Sequence, residues 1–242
     1  MTDIASIRRL ARATGLIYVV LIVFGMFAPI VLETLLVPGD AAATAGSVLG
    51  SMTLFRISLL GWIVIVVADV VLSVILYLLF ETASRTLSMV SAAFRAVYTT
   101  LLAAFLVRLF SGYSLLAGSS LGTAEVHDLA LRDFETFSAG FSLALVFFGV
   151  HLILFGTLLK RSKYVPTALS ILLIVAGVGY VADSLAKFFV PSHGDLASML
   201  LLTPALLSEV GLTGWLLVKG VRAVDEEVRP HVPQHSVRAA AG

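Results

Sequence analysis

The 242-residue chain contains no cysteine, and only 13% of its residues are charged, with a formal net charge of +1. The lack of cysteine excludes disulfide bonds, thiol nucleophiles, thiolate metal sites and iron–sulfur clusters. The near-zero net charge argues against nucleic acid as a partner. Average globular domains carry about 25% charged residues, so the composition excludes a soluble globular enzyme as well as a disordered chain.

The sequence also lacks the motifs of known intramembrane enzymes. The metalloprotease sequence His-Glu-x-x-His, the rhomboid Gly-x-Ser-Gly and the presenilin-type Gly-x-Gly-Asp are all absent. The apolar segments described below contain a single histidine, His151, so a monomer cannot supply two axial histidines to a haem. We therefore expect no cofactor, no resident metal and no catalytic residues.

Apolar residues are abundant, at 59% of the chain with a mean hydropathy of +1.04. About 20 apolar residues cross roughly 30 Å of hydrocarbon, where the backbone must satisfy its own hydrogen bonds as a helix. We predict an all-α integral membrane bundle of six transmembrane helices within residues 14–221, after a short segment (1–13) and before a polar, disordered tail (222–242). The predicted spans lie at about 14–36, 57–80, 89–110, 137–159, 166–190 and 197–218.

Lysine and arginine are unevenly divided between the connections. One side of the predicted bundle has Arg56 and Arg132, whereas the other side has eleven basic residues. Since basic connections stay in the cytoplasm, both termini are expected to be cytoplasmic, in a bacterial cytoplasmic membrane. The eleven residues are Arg8, Arg9, Arg12, Arg85, Lys160, Arg161, Lys163, Lys219, Arg222, Arg229 and Arg238.

Two outer connections have distinct compositions. Residues 38–55 are rich in Gly, Ala, Ser and Thr, which predicts a flexible loop. Residues 123–137 place apolar side chains at helical spacing opposite a charged face. This pattern predicts a short helix that lies on the membrane surface or caps the bundle.

Several short motifs follow one another through the predicted membrane region. They are Arg12-Ala-Thr-Gly-Leu-Ile-Tyr18, Leu54-Phe-Arg-Ile-Ser58, Val67-Ala-Asp69, Phe94-Arg95, Phe147-Phe-Gly-Val-His151, Arg161-Ser-Lys-Tyr-Val-Pro166, Gly179-Tyr-Val-Ala-Asp-Ser184, Pro204-Ala-Leu-Leu-Ser-Glu209 and Trp215-Leu-Leu-Val-Lys-Gly220. In order and spacing they resemble a bacterial family of multi-pass membrane proteins, the domain-of-unknown-function 4386 family. The pair Val165-Pro166 departs from the Leu-Pro expected there. The resemblance implies a multi-pass architecture and carries no activity.

Two carboxylates lie at membrane depth, where ionisable residues are costly and by default mark functional sites. Asp69 is about 13 residues, or about 20 Å, from Arg56 along the second predicted span. Glu209 is central in the sixth span, after Pro204, which removes a backbone donor. Because neither group can stay ionised and unpaired in a bundle, each needs a proton or a cation.

Arg95 in the third predicted span and His151 in the fourth are the deep partners available to these carboxylates. Our hypothesis is that Asp69, Arg95, His151 and Glu209 form one buried network that lines a polar pocket. The alternative is a polar core that specifies the fold and binds no ligand.

A secondary set of polar residues flanks this network. Trp62 and Ser73 share a helical face with Asp69. Asp183 and Lys187 are spaced i, i+4 near the outer end of the fifth span, close to Tyr180, in the order that favours an ion pair. That pair either joins the pocket or neutralises itself at the interface.

These residues predict a protein that binds or transports a small solute, ion or lipid through an intramembrane polar pocket. The alternative is a structural or regulatory membrane protein that acts through protein partners, by packing of small residues in the fifth span. An intramembrane enzyme ranks third, because Asp69 and Asp183 lie at different depths. The expected partners are membrane lipids and a small solute or ion, and a homo-oligomer is left open.

Overall fold

The computed structural model describes residues 4–118, 123–162, 164–190 and 194–219. Within these ranges the chain forms seven α-helices and no strand. Six of the helices are long and apolar enough to cross a membrane, which confirms the predicted all-α bundle of six spans. The predicted polar tail, 222–242, lies outside the described residues. The helices are α1 (Ile4–Leu35), α2 (Ala41–Gly50), α3 (Met52–Phe80), α4 (Arg85–Gly118), α5 (Thr123–Ser162), α6 (Thr167–Phe189) and α7 (Asp195–Val218).

The six long helices, all except α2, form a ring. Each helix packs against the two beside it in the order α1, α3, α4, α5, α6 and α7, and α1 closes the ring against α7. One end of the bundle, called the terminal end here, carries the start of α1, the α3–α4 and α5–α6 turns and the end of α7. The opposite end, called the α2 end, carries α2, which packs mainly on α5.

The connection between α1 and α3 differs from the flexible loop predicted over residues 38–55. Gly39 makes a turn with φ of +73°, a value that suits glycine. Asp40 then caps α2, because its carboxylate accepts a hydrogen bond from the backbone N–H of Ala43 at 2.9 Å. The loop prediction was wrong because the alanine that dominates this segment is also the strongest helix former.

The segment 123–137 is also not a separate surface helix. It is the first part of α5, a continuous helix of 40 residues, which at 1.5 Å per residue is about 60 Å long. Its apolar face is buried within the bundle, since Phe134 packs 5.6 Å from Phe55 at the start of α3. Like the 34-residue α4, it is longer than the roughly 30 Å of a membrane's hydrocarbon core.

Two glycines set the closest approach of α5 to α6. A Cβ atom added to Gly149 would lie 2.6 Å from the carbonyl oxygen of Gly177, and one added to Gly177 would lie 2.5 Å from that of Gly149. The two backbones are therefore in direct contact, as small residues allow between membrane helices. This contact holds α5 inside the ring and positions its deep side chains.

A leucine at this contact is expected to destabilise the bundle. Gly177→Leu forces the backbones apart and should cost about 3 kcal/mol, lowering the Tm of the purified protein by roughly 6–12 °C. The control is Gly214→Leu, because a Cβ at Gly214 meets no atom within 4 Å. Equal Tm values for the two variants would contradict the described packing.

Candidate functional site

The four deep residues predicted from the sequence lie at one level of the bundle. Asp69, Arg95, His151 and Glu209 are each roughly ten residues from the terminal end of their helices. At 1.5 Å per residue this corresponds to about 15 Å, half the thickness of the hydrocarbon core. They come from α3, α4, α5 and α7, so four of the six spans supply one side chain each.

Arg95 and Asp69 form a buried ion pair. The guanidinium Nη2 donates to Asp69 Oδ1, and both side chains are at most 3% exposed. The guanidinium carbon of Arg95 also lies 5.8 Å from the ring centre of Tyr18 and 5.5 Å from that of Phe148, within the range of cation–π attraction. The pair thus connects α3 and α4 to α1 and α5.

His151 supports Arg95 from the other side. Arg95 Nη1 lies 3.2 Å from His151 Nε2, and because arginine has no acceptor, Nε2 must accept this hydrogen bond. The ring proton is then on Nδ1, which donates to the backbone carbonyl of Ser91 at 2.9 Å. His151 is therefore neutral, with both ring nitrogens satisfied.

Glu209 is placed differently from the other three residues. Its side chain is half-buried, and among the described residues its carboxylate has no hydrogen-bond or ion-pair partner. It is close enough to Arg95 and Asp69 to interact with them electrostatically. With Arg95 compensating Asp69, an ionised Glu209 leaves the site with one uncompensated negative charge.

A cavity of about 320 Å³ lies inside the ring, directly against these groups. It is lined by all six long helices, and its polar wall combines Asp69, Arg95 and Glu209 with aromatic side chains. The indole Nε1 of Trp62, a buried lining residue, has no hydrogen-bond partner in the described part of the chain. The aromatic lining residues are Tyr18, Trp62, Tyr98, Phe141, Phe148 and Tyr180.

The secondary residues divide between the cavity and the surrounding helices. Trp62 and Tyr180 line the cavity. Ser73 is buried one turn from Asp69 but lies outside the lining. Asp183 and Lys187 also lie outside it and form an i, i+4 ion pair at 2.9 Å, in which Asp183 is buried and Lys187 is half-exposed.

Several contributors to this site were missed in the sequence. Tyr18 and Tyr98 line the cavity, and Ser91 fixes the tautomer of His151. Tyr98 follows Arg95 by three residues, so its position on the same helical face could have indicated a role. For Tyr18, the only signal in the sequence is its depth in α1, which matches the depth of Arg95 in α4.

Removing one partner of the ion pair is expected to destabilise the protein strongly. Arg95→Met leaves Asp69 as a buried unpaired charge, which should cost about 3–5 kcal/mol, whereas Asp69→Leu combined with Arg95→Met should recover most of that loss. Glu209→Gln, at a carboxylate without a partner, should change stability by less than about 1 kcal/mol. The measurement is thermal unfolding in detergent. If the double variant loses as much stability as the two single variants added together, the pairing is contradicted.

Comparison with known proteins places this architecture in a family. The family model described as Domain of unknown function (DUF4386) matches residues 13–220. A protein of Archaeoglobus fulgidus described as an uncharacterized protein is 31% identical over 163 residues, which cover 67% of this chain and 83% of that protein. No solved structure matches the chain at a significant level. The chain belongs to the DUF4386 family of multi-span helical proteins.

Proposed function

We propose that the protein binds or transports a small solute, ion or lipid through the cavity at the centre of the helix ring. The observation that carries this proposal is the Glu209 carboxylate, which lines a 320 Å³ cavity at membrane depth without a partner among the described residues. An unpaired carboxylate at this depth is costly, so its retention favours a role in binding. The cavity volume falls within the range of about 300–1,000 Å³ that is typical of ligand sites.

A polar core that only specifies the fold accounts for part of the site. Asp69 and His151 each hydrogen-bond to Arg95, as such a core requires, and Arg95 Nε is left without a hydrogen-bond partner in the described residues. Such a core does not account for Glu209, which lines the cavity without a partner in the described residues. Glu209 favours a ligand that carries a positive charge or donates a hydrogen bond.

Binding can be measured with Trp62 as a native reporter. The chain has two tryptophans, so Trp215→Phe leaves the cavity indole as the sole emitter. We expect at least one of three probes, sodium chloride, tetramethylammonium or decylamine, to change Trp62 fluorescence saturably in lipid nanodiscs. Glu209→Gln should weaken that binding at least tenfold, about 1.4 kcal/mol.

Two controls define the result of this titration. Glu135→Gln makes the same chemical change at an exposed carboxylate outside the cavity and should leave binding unaltered. Trp62→Phe in the same background should remove the signal. If none of the three probes gives a saturable change, the cavity is not a binding site for these classes and the proposal fails.

We further propose that the terminal end faces the cytoplasm of a bacterial cell, because basic residues accumulate in the connections at that end. The cysteine-free chain permits a direct test with single cysteines. Asp128→Cys, exposed near the α2 end, should react with a membrane-impermeant maleimide in intact cells. Thr86→Cys, exposed at the terminal end, should react after lysis alone, and the reverse labelling pattern would refute the orientation.

A further inference from the structure

The cavity has an opening on one side of the ring, between α1 and α7. Among its lining residues, the exposed ones belong to these two helices: Gly25, Met26 at 47% exposure and Leu206 at 46%. The lining residues on α3 and α4 are all buried. The opening therefore faces sideways, toward the position of the lipid, at the level of the hydrocarbon core.

The opening exists because α1 and α7 pack on different neighbours as they leave the terminal end. Near that end they touch, since a Cβ at Gly15 would lie 2.8 Å from the side chain of Leu217. Toward the α2 end, α1 packs on α3, where the hydroxyl of Ser58 donates to the carbonyl of Ala28 at 3.0 Å. The α7 backbone packs instead on α6, with Leu201 against Gly179.

The exposure of residues along α1 also indicates the gap between α1 and α7. Tyr18 and Ala28 of α1 are buried. None of the nine residues between them is buried. Gly25 lies in the middle of this interval, and a Cβ added there would meet no atom within 4 Å. Pro29, another lining residue, has no N–H to offer to the Gly25 carbonyl. The backbone of α1 is thus open to a ligand at this point.

The cavity has an outer region at the opening and an inner region around Glu209, and the two differ in chemistry. On α7, Leu202, Leu206 and Glu209 are spaced on one helical face, so apolar side chains lead from the opening to the carboxylate. Leu202 and Glu209 are seven residues apart, which corresponds to about 10 Å. When Glu209 is ionised, the inner region has one uncompensated negative charge among the faces of aromatic rings, a combination that attracts organic cations. An anionic head group would instead meet the carboxylates of Asp69 and Glu209 beside a single cation, Arg95.

We propose that the ligand is an amphiphilic amine that enters from the membrane between α1 and α7. Its protonated amine pairs with Glu209, and its apolar tail passes Leu206 and Gly25 into the hydrocarbon. This inference rests on the proposed function, because it names the ligand class and the entry route of the same cavity.

The test compares four probes in nanodiscs, with Trp62 as the reporter in the Trp215→Phe background. Decylamine, decanol and decanoate share a ten-carbon chain and differ in the head group, and their affinities are compared as mole fractions in the bilayer. Butylamine carries the same head group on a short, water-soluble chain. We expect decylamine to bind at least tenfold more tightly than each of the other three. Glu209→Gln should abolish the preference for decylamine over decanol.

The route is tested by filling the opening. Gly25→Phe places a ring in open space at the entrance, so the Tm should not fall while decylamine affinity drops at least tenfold. The matched control is Gly214→Phe, at an exposed α7 glycine that also faces open space but does not line the cavity.

Each contrary outcome has a distinct meaning. Unchanged decylamine binding in Gly25→Phe overturns the lateral route, and equal binding of decanol or decanoate overturns recognition of the amine. Butylamine binding as tightly as decylamine shows that the ligand is taken from water, which also overturns the inference. If decylamine fails while sodium chloride or tetramethylammonium binds saturably, the proposed function stands and this inference alone falls.

Discussion

The ion pair between Asp69 and Arg95 at half the depth of the bundle is the contact on which the arrangement of the helices depends. A guanidinium at that depth needs a carboxylate, and breaking such a pair leaves a buried charge. Because Arg95 also contacts Tyr18, Phe148 and His151, one side chain on α4 connects to α1, α3 and α5. The ring therefore encloses a polar centre within its buried apolar core.

This polar centre explains why two carboxylates at the same depth have different environments. Asp69 is enclosed and compensated by Arg95, whereas Glu209 lies on α7, the last helix in the chain, which packs on α1 near the terminal end. The position of α7 leaves Glu209 facing a cavity with aromatic walls. In this view Asp69 belongs to the folded framework, and Glu209 is the group available to a ligand. The close contacts of glycines between α5 and α6 hold the opposite wall in place.

Hydropathy alone located the six spans, because the cost of unsatisfied backbone in lipid leaves helices as the available structure. Counting residues along the predicted helices also placed Asp69 and Glu209 near mid-membrane, with Arg95 and His151 as the deep partners available to them. It could not decide which carboxylate pairs with Arg95, since that depends on the order of the helices around the ring. The lateral opening at Gly25 could not be predicted for the same reason, because predicting it requires knowing that α1 and α7 are neighbours. Helix α2 was missed because its alanines favour a helix and Asp40 caps it, and together these outweigh the loop-like glycine, serine and threonine around them.

The most direct measurement is a cryo-EM structure of the protein purified in native lipid nanodiscs, resolved well enough to show side chains inside the ring. The proposed division of roles predicts Asp69 bonded to Arg95, Glu209 free of both, and density for a bound molecule that reaches from Glu209 toward Gly25. A structure in which α7 closes the cavity and Glu209 itself pairs with Arg95 would contradict it, because no carboxylate would then remain for a ligand.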